Sequence, residues 1–236
     1  MRTLTKNSLL KILLLASLLS CVCAGAGAAQ IPQGVINLDA LTDETQKTLP
    51  DADRITLVWW IPEEYWRTAL GQDPTGSKAQ TEEFLKTVRP YVIMAVVDGK
   101  IGSFGGVTYK SEEVIRSTIQ VMDSQGAVYR PLTNDKIDPD TRNILAAMKP
   151  LLGNTIGKLG ENMHFVVFPA KDAAGRRIAD PYKEGTLSLK LGSDLYKWRL
   201  PLGSLIPAKT CPVDGEMMNG SWKFCPWHGD KLVSKP

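Results

Sequence analysis

The segment YVIMAVVDGKIGSFGGVTYK, residues 91–110, gives the clearest indication of the fold. Its first seven residues are apolar or aromatic and rich in β-branched side chains, which favour strands. Asp98 and Gly99 then form a dipeptide that is common in hairpin turns, and a glycine-containing apolar stretch follows. The segment therefore predicts two antiparallel strands joined by a turn at Asp98.

Later segments repeat this plan and extend the prediction to a whole domain. Residues 116–132 contain two apolar runs around a turn at Asp123, and residues 163–202 contain further runs around a turn at Asp172. Short strands separated by turn residues are typical of two packed antiparallel sheets. The predicted class is mostly β, an antiparallel β-sandwich, with a mixed α+β arrangement as the alternative.

Helices are predicted at the start of this domain and within it. After an apolar strand that begins at residue 54 and stops at Pro62, short helices are expected at residues 62–70 and 79–88. A longer inserted helix is expected at residues 138–159, where Asp138 can cap the helix and apolar residues recur at helical spacing. We expect this helix to be broken or kinked at Pro150.

Residues 1–28 are typical of a secretory signal peptide, with basic residues, an apolar run and then small residues. An Ala-x-Ala pattern at residues 26–28 predicts a mature start near Ala29. The sequence LLSC, which ends at Cys21, resembles a bacterial lipobox and gives the alternative, lipidation of Cys21. The first cleavage leaves an even number of cysteines, which favours it. The expected location is extracytoplasmic, periplasmic or secreted, with lipid anchoring as the alternative.

The charge balance bears on the partners of the protein. Residues 1–28 contain three of the 28 basic residues and none of the 25 acidic residues, so the rest of the chain is formally neutral. This argues against a nucleic-acid partner, and membrane contact is expected only through a lipid anchor. Residues 29–53 are a polar lead-in, residues 54–207 the predicted sandwich domain, and residues 208–236 a C-terminal hairpin.

The C-terminal hairpin contains the pattern Cys-Pro-x-x-Gly twice, within TCPVDGEMMNGSWKFCPWHG, residues 210–229. Each copy resembles the Cys-Pro-x-Cys-Gly knuckle of rubredoxin-like zinc ribbons, in which tight turns aim thiolates at one tetrahedral ion. Asp214 and His228 stand where the second cysteine of each knuckle would be. The resemblance implies a shape of two knuckles joined by a hairpin.

Two chemistries remain open for this hairpin. Thiolate, imidazole and carboxylate are all zinc ligands, so Cys211, Asp214, Cys225 and His228 would form a four-ligand set. An exported protein instead favours oxidation, and a disulfide between Cys211 and Cys225 would contribute about 3 kcal/mol in the chain-entropy model. Since oxidation consumes both thiolates, the two alternatives exclude one another at any moment. The expected compartment favours the disulfide, with no cofactor.

An aromatic cluster is the other candidate site. Trp59, Trp60, Tyr65 and Trp66 could form a stacking platform for a sugar or a peptide, although large aromatic residues also dominate cores. The two histidines of the chain form neither an H-x-H nor an H-E-x-x-H pattern, and no G-x-S-x-G motif occurs. No catalytic residue is therefore assigned.

These observations favour an exported, non-enzymatic accessory or binding protein of the bacterial envelope. Its partner would be an envelope or extracellular protein or a glycan. The alternative is a zinc-binding protein, or a metal-dependent enzyme, that uses the C-terminal knuckles.

The leader gives the first testable prediction. Mass spectrometry of the native protein should find a mature chain that starts near Ala29, or one that starts at a lipidated Cys21. An intact Met1 on protein from the cytoplasm would contradict both forms.

Overall fold

The computed structural model describes residues 36–72 and 76–234. The predicted signal peptide and Cys21 lie outside the described residues. Of the described residues, 32% are helical and 31% are in strands, and the sheets are antiparallel. The antiparallel sheets are as predicted, and the helix content makes the class mixed, which is the predicted alternative. Among the described helices, none combines the length and the apolar character needed to cross a membrane.

The elements follow one another in this order along the chain. They are α1 (Leu38–Thr45), β1 (Gln46–Lys47), β2 (Arg54–Ile61), α2 (Glu63–Gly71), α3 (Lys78–Val88), β3 (Tyr91–Ile101), β4 (Val107–Tyr109), α4 (Glu112–Thr118), β5 (Ile119–Met122), β6 (Val128–Tyr129), α5 (Pro139–Ile156), α6 (Lys158–Glu161), β7 (His164–Pro169), β8 (Gly185–Leu191), β9 (Asp194–Leu200), β10 (Lys209–Thr210), β11 (Met217–Met218) and β12 (Val233–Ser234). Short 3-10 turns occur at Asn134–Lys136 and Gly203–Leu205.

The described strands form three sheets in which every pairing is antiparallel. In the first sheet β3 is central, with β1 and β2 on one side and both β4 and β7 on the other. The second sheet has the order β6-β5-β8-β9, and the small third sheet has the order β11-β10-β12.

Strand β3 is buried on both faces. Val92, Met94 and Val96 belong to a hydrophobic cluster that includes the inner residues of the second sheet. The alternate residues, such as Ile93 and Ala95, belong to another cluster that includes the apolar faces of α2, α3 and α5. Because side chains of a strand alternate between its two faces, the first sheet lies between a helical layer and the second sheet.

The predicted turn at Asp98 is wrong. Strand β3 continues through Asp98 and Gly99 to Ile101, and the chain turns at residues 102–106 instead. A Cβ atom at Gly99 would lie 2.8 Å from a methyl group of Val107 and 3.0 Å from the ring of Tyr109. The glycine is therefore required by the close approach of β4, not by a turn.

The predicted turns at Asp123 and Asp172 are confirmed, and they share one geometry. In both, a glycine three residues after the aspartate has a positive φ angle and donates its N–H to the aspartate carbonyl oxygen. The Asp123 carboxylate also accepts backbone hydrogen bonds from Gln125 and Ala127 at 2.9 Å. The aspartate side chains thus satisfy the backbone donors of their own turns.

Helix α5 is confirmed with its cap but not with its break. The Asp138 side chain accepts from the N–H of Asp140 at 2.8 Å, and Pro139 occupies the first turn. The helix continues through Pro150 to Ile156.

Asp98 lies in a network of ion pairs that links the first two sheets. It is 1% exposed, and its carboxylate accepts from Lys110 at 2.6 Å and from Arg54 at 3.2 Å. The guanidinium of Arg54 also donates to Asp194, at the start of β9 in the second sheet, at 2.8 Å. Buried carboxylates need such partners, because an unpaired charge is costly to remove from water.

The polar lead-in is part of the fold. It contains α1, and the last residue of α1, Thr45, is fully buried. The Thr45 hydroxyl accepts a hydrogen bond from the indole N–H of Trp59 at 3.1 Å, and its carbonyl oxygen accepts one from Trp198 at 2.8 Å. Thr45 therefore satisfies one indole in each of the two hydrophobic clusters.

The first stability prediction concerns Thr45. Thr45→Val removes the acceptor of the Trp59 indole while keeping the shape of the side chain, and it should lower the free energy of unfolding by about 1–3 kcal/mol. Thr155→Val is a matched control, because the Thr155 hydroxyl is exposed and bonds only to a carbonyl of its own helix. Urea denaturation of both variants tests the role of Thr45, and equal losses would contradict it.

The second stability prediction concerns Asp98. Asp98→Asn should lower the free energy of unfolding by about 1.5–3 kcal/mol, the range for hydrogen bonds to charged groups. The exposed pair of Lys158 and Glu161 provides the control, since Glu161→Gln should change stability by less than about 0.5 kcal/mol. Equal stability of the two variants would show that the buried network contributes little.

Candidate metal centre

The C-terminal ribbon, residues 208–234, is formed by the third sheet and two tight turns. Strand β10 lies between β11 and β12, and Phe224 forms a further bridge with Lys231. One hairpin carries the turn that begins at Cys211, and the other carries the turn that begins at Cys225. Each of the two Cys-Pro-x-x-Gly copies therefore forms a tight turn at the end of a hairpin.

The two turns have the same backbone geometry. In each, the cysteine N–H donates to the carbonyl oxygen five residues later, and the glycine N–H donates back to the cysteine carbonyl oxygen. Each glycine has a positive φ angle, which the absence of a Cβ atom permits. The bonds are Cys211 to Glu216 at 2.9 Å, Gly215 to Cys211 at 2.9 Å, Cys225 to Asp230 at 2.8 Å and Gly229 to Cys225 at 2.9 Å, with φ angles of 78° at Gly215 and 76° at Gly229.

Three ligand atoms meet between the turns. The sulfur atoms of Cys211 and Cys225 lie 3.6 Å apart. His228 Nδ1 lies 3.4 Å from the first sulfur and 3.5 Å from the second. A tetrahedral zinc ion with ordinary bond lengths would hold two sulfurs about 3.8 Å apart and a sulfur and a nitrogen about 3.6 Å apart. The three observed separations match the edges of such a tetrahedron.

Asp214, the fourth predicted ligand, lies next to His228. Its Oδ2 atom is 3.7 Å from His228 Nδ1, while Oδ1 accepts the N–H of Glu216 at 2.9 Å. The structure therefore brings three of the predicted ligand residues, Cys211, Cys225 and His228, within 4.8 Å of one another, and Asp214 lies next to His228 but outside this group.

The electrostatics of the site differ between the two thiols. Burial raises the pKa of the Cys211 thiol. Burial also acts to raise the pKa of the Cys225 thiol, but the backbone N–H groups of His228 and Trp227 and the imidazole of His228 outweigh it, and the pKa is lowered. The hydrogen bond with Cys225 in turn raises the pKa of His228. Cys225 is therefore the thiol that ionises more readily.

Both cysteines are free thiols in this structure. A disulfide requires the sulfurs to be bonded at about 2.05 Å, so the 3.6 Å separation is that of two facing, unbonded thiols. The predicted disulfide remains a prediction. The same two sulfurs serve either chemistry.

The ribbon packs closely against the chain that follows β9. A Cβ atom at Gly203 would lie 1.7 Å from the side-chain oxygen of Asn219, and one at Gly220 would lie 2.4 Å from the carbonyl oxygen of Pro207. The Asn219 side chain also accepts from the N–H of Ser221 at 2.9 Å. Because Gly203 and Gly220 have no side chains, the ribbon and the domain can pack closely at both positions.

The predicted aromatic platform is not formed. Trp59, Trp60 and Trp66 are 8%, 2% and 5% exposed, and Tyr65 is half-buried. Trp59 and Trp60 are consecutive in β2, so they point to opposite faces of the sheet and belong to different clusters. These side chains are core residues because the first sheet is covered on both sides.

Three of the five exposed aromatic residues in the described part of the chain lie on the ribbon, and Phe104 and Tyr182 are the other two. Trp222, Phe224 and Trp227 are 44%, 59% and 73% exposed. These three residues are not among the predicted site residues. Their position in a short, glycine-rich hairpin without a long apolar run is typical of exposed side chains. The ribbon thus combines a group of metal-ligand residues with exposed aromatic side chains.

Comparisons with protein-family models, with curated proteins and with solved structures gave no match for this chain. The zinc-ribbon resemblance therefore depends on the two knuckles and their geometry alone.

Proposed function

We propose that the protein is an exported, non-enzymatic binding protein of the bacterial envelope, in which a zinc ion closes the C-terminal ribbon. Cys211, Asp214, Cys225 and His228 would be its ligands. The observation that carries this proposal is the triangle formed by the two sulfurs and His228 Nδ1, whose edges are those of tetrahedral zinc coordination.

The size of the ribbon supports a structural role for the ion. Segments of fewer than about 40 residues rarely bury enough apolar surface to hold their shape without a metal or a disulfide. The ribbon is such a segment, and its own buried cluster contains only four residues, two of which are the cysteines themselves. The cluster consists of Cys211, Met218, Cys225 and Leu232.

The ligand set also favours structure over catalysis. Structural zinc sites have four protein ligands, whereas catalytic sites keep one position for water or substrate. With Asp214, whose Oδ2 lies 3.7 Å from His228 Nδ1, as the fourth ligand, no position would remain for a catalytic water. The buried sulfurs would carry the negative charge that the ion neutralises, and zinc binding would supply part of the folding free energy of the ribbon.

The rest of the molecule supports a binding role. The shared core of the first two sheets is consistent with a β-sandwich scaffold covered by helices on one side. The ribbon presents Trp222, Phe224 and Trp227 to solvent, and aromatic side chains of this kind provide much of the binding energy at protein interfaces. The partner in this proposal is an envelope protein or a glycan that packs on these rings.

Metal analysis tests the proposal. Protein purified without chelator should contain about one zinc ion per chain, because three ligand atoms lie within 4.8 Å of one another and Asp214 would supply the fourth. Cys225→Ser and His228→Ala should lose the ion, and Asp214→Ala should bind it more weakly. Asp230→Ala is the matched control, because Asp230 belongs to the same turn and its backbone carbonyl accepts from Cys225, but its carboxylate is outside the group of ligand atoms.

Cobalt substitution gives an independent measurement. Cobalt(II) bound to the two cysteines should show thiolate-to-metal charge transfer, and this absorption should be absent in Cys225→Ser. A wild-type chain that binds neither zinc nor cobalt while its thiols are reduced would overturn the proposal.

A further inference from the structure

We propose that Cys211 and Cys225 form a reversible oxidation site, at which a disulfide-bearing oxidant converts the zinc-bound thiolate pair into a disulfide and releases the ion. This inference rests on the proposed zinc site and describes its regulation. Zinc binding and the disulfide, the two alternatives that the sequence leaves open, would then be two states of one site.

The geometry of the cysteines supports direct bonding between them. Their sulfurs lie 3.6 Å apart, both are buried in the cluster formed with Met218 and Leu232, and His228 Nδ1 contacts both. Disulfide formation brings the sulfurs closer by about 1.5 Å, to the bonded distance. The facing turns hold the two cysteines together with or without an ion, since their backbone hydrogen bonds do not involve the sulfurs.

An oxidant would reach the two sulfurs from the side of His228 and Asp214. Cys211 and Cys225 are 1% and 2% exposed, but the side chains of His228 and Asp214 are 34% and 40% exposed. Movement of the imidazole would therefore uncover both sulfurs, since His228 Nδ1 lies 3.4 Å from that of Cys211 and 3.5 Å from that of Cys225.

The exchange balances as follows in bonds and electrons. The thiolate of one cysteine attacks one sulfur of the oxidant, which breaks the disulfide of the oxidant, forms a mixed disulfide and releases one thiolate. The thiolate of the other cysteine then attacks the sulfur of the first and releases the second thiolate. Two electrons pass from the protein to the oxidant. The ion leaves because Asp214 and His228 remain as only two of its four ligands.

The expected compartment supplies this class of oxidant. Exported proteins meet disulfide-bearing catalysts and small disulfides, whereas the cytoplasm keeps thiols reduced. While the thiols are reduced, zinc would hold the ribbon closed. After oxidation and release of the ion, the disulfide would hold it closed. The ribbon is therefore stabilised in both states, by different bonds at the same two sulfurs.

The test treats the zinc-loaded full chain with glutathione disulfide. A chromogenic chelator measures the released zinc, and mass spectrometry under non-reducing conditions measures loss of the two thiol hydrogens. One zinc ion should be released for each intramolecular disulfide, and dithiothreitol with zinc should restore the starting form. Added free zinc should slow the reaction, because it competes for the thiolates.

Control variants separate this inference from general oxidation. Asp230→Ala should react like the wild type, and Cys225→Ser should form no intramolecular disulfide. Retention of zinc by the wild type in excess glutathione disulfide would overturn the inference, as would a stable glutathione adduct without the internal bond.

Failure of the zinc proposal has a different result. If the purified chain binds no zinc, the reduced metal-free chain is treated in the same way. Formation of the Cys211–Cys225 disulfide would then support the oxidation site without the ion, and its absence would overturn both the exchange and its link to metal. Zinc binding without disulfide formation would leave the proposed function intact and reject only the inference.

Discussion

The pairing of Asp98 with Arg54 and Lys110 is the constraint on which the first two sheets depend. Eight consecutive residues of β3 are buried, and Asp98 brings a carboxylate into this apolar strand. Lys110 and Arg54 neutralise it, and Arg54 extends the contact to Asp194 in the second sheet. The carboxylate of Asp98 is thus paired near the end of β3, and through Arg54 it is linked to the second sheet. Without these cations, β3 would have to end before Asp98.

Local patterns predicted the elements whose shape depends on nearby residues. The turns at Asp123 and Asp172 and the cap at Asp138 need only the side chain of the aspartate and the amides beside it, so they were visible in the sequence. The turn assigned to Asp98 failed because the partners of this aspartate come from other strands. Helix α1 escaped detection because its eight residues are too few for a clear period, and Thr45 acts through distant tryptophans.

In the candidate site, too, some features depend on nearby residues and others on distant ones. The repeated Cys-Pro-x-x-Gly pattern indicates two tight turns that begin at Cys211 and Cys225, and the structure contains both, since each turn is a local structure. The meeting of the knuckles depends on β10, whose pairing with both β11 and β12 joins distant parts of the ribbon. The aromatic platform failed for a related reason, because composition cannot tell which faces of a sheet are covered. Residue order also cannot decide between thiolate and disulfide, which depends on the surrounding redox potential.

The contact at Gly203 places the two ends of the described chain side by side. Glu44, at the end of the first helix, accepts the N–H of Gly203 at 2.7 Å, and Asn219 of the ribbon packs on the same glycine. Helix α1 is only eight residues long, so its first residue lies within about 12 Å of this contact. The start of the described chain and the ribbon are therefore near neighbours, so a partner that packs on Trp222, Phe224 and Trp227 would approach the same end of the molecule as α1.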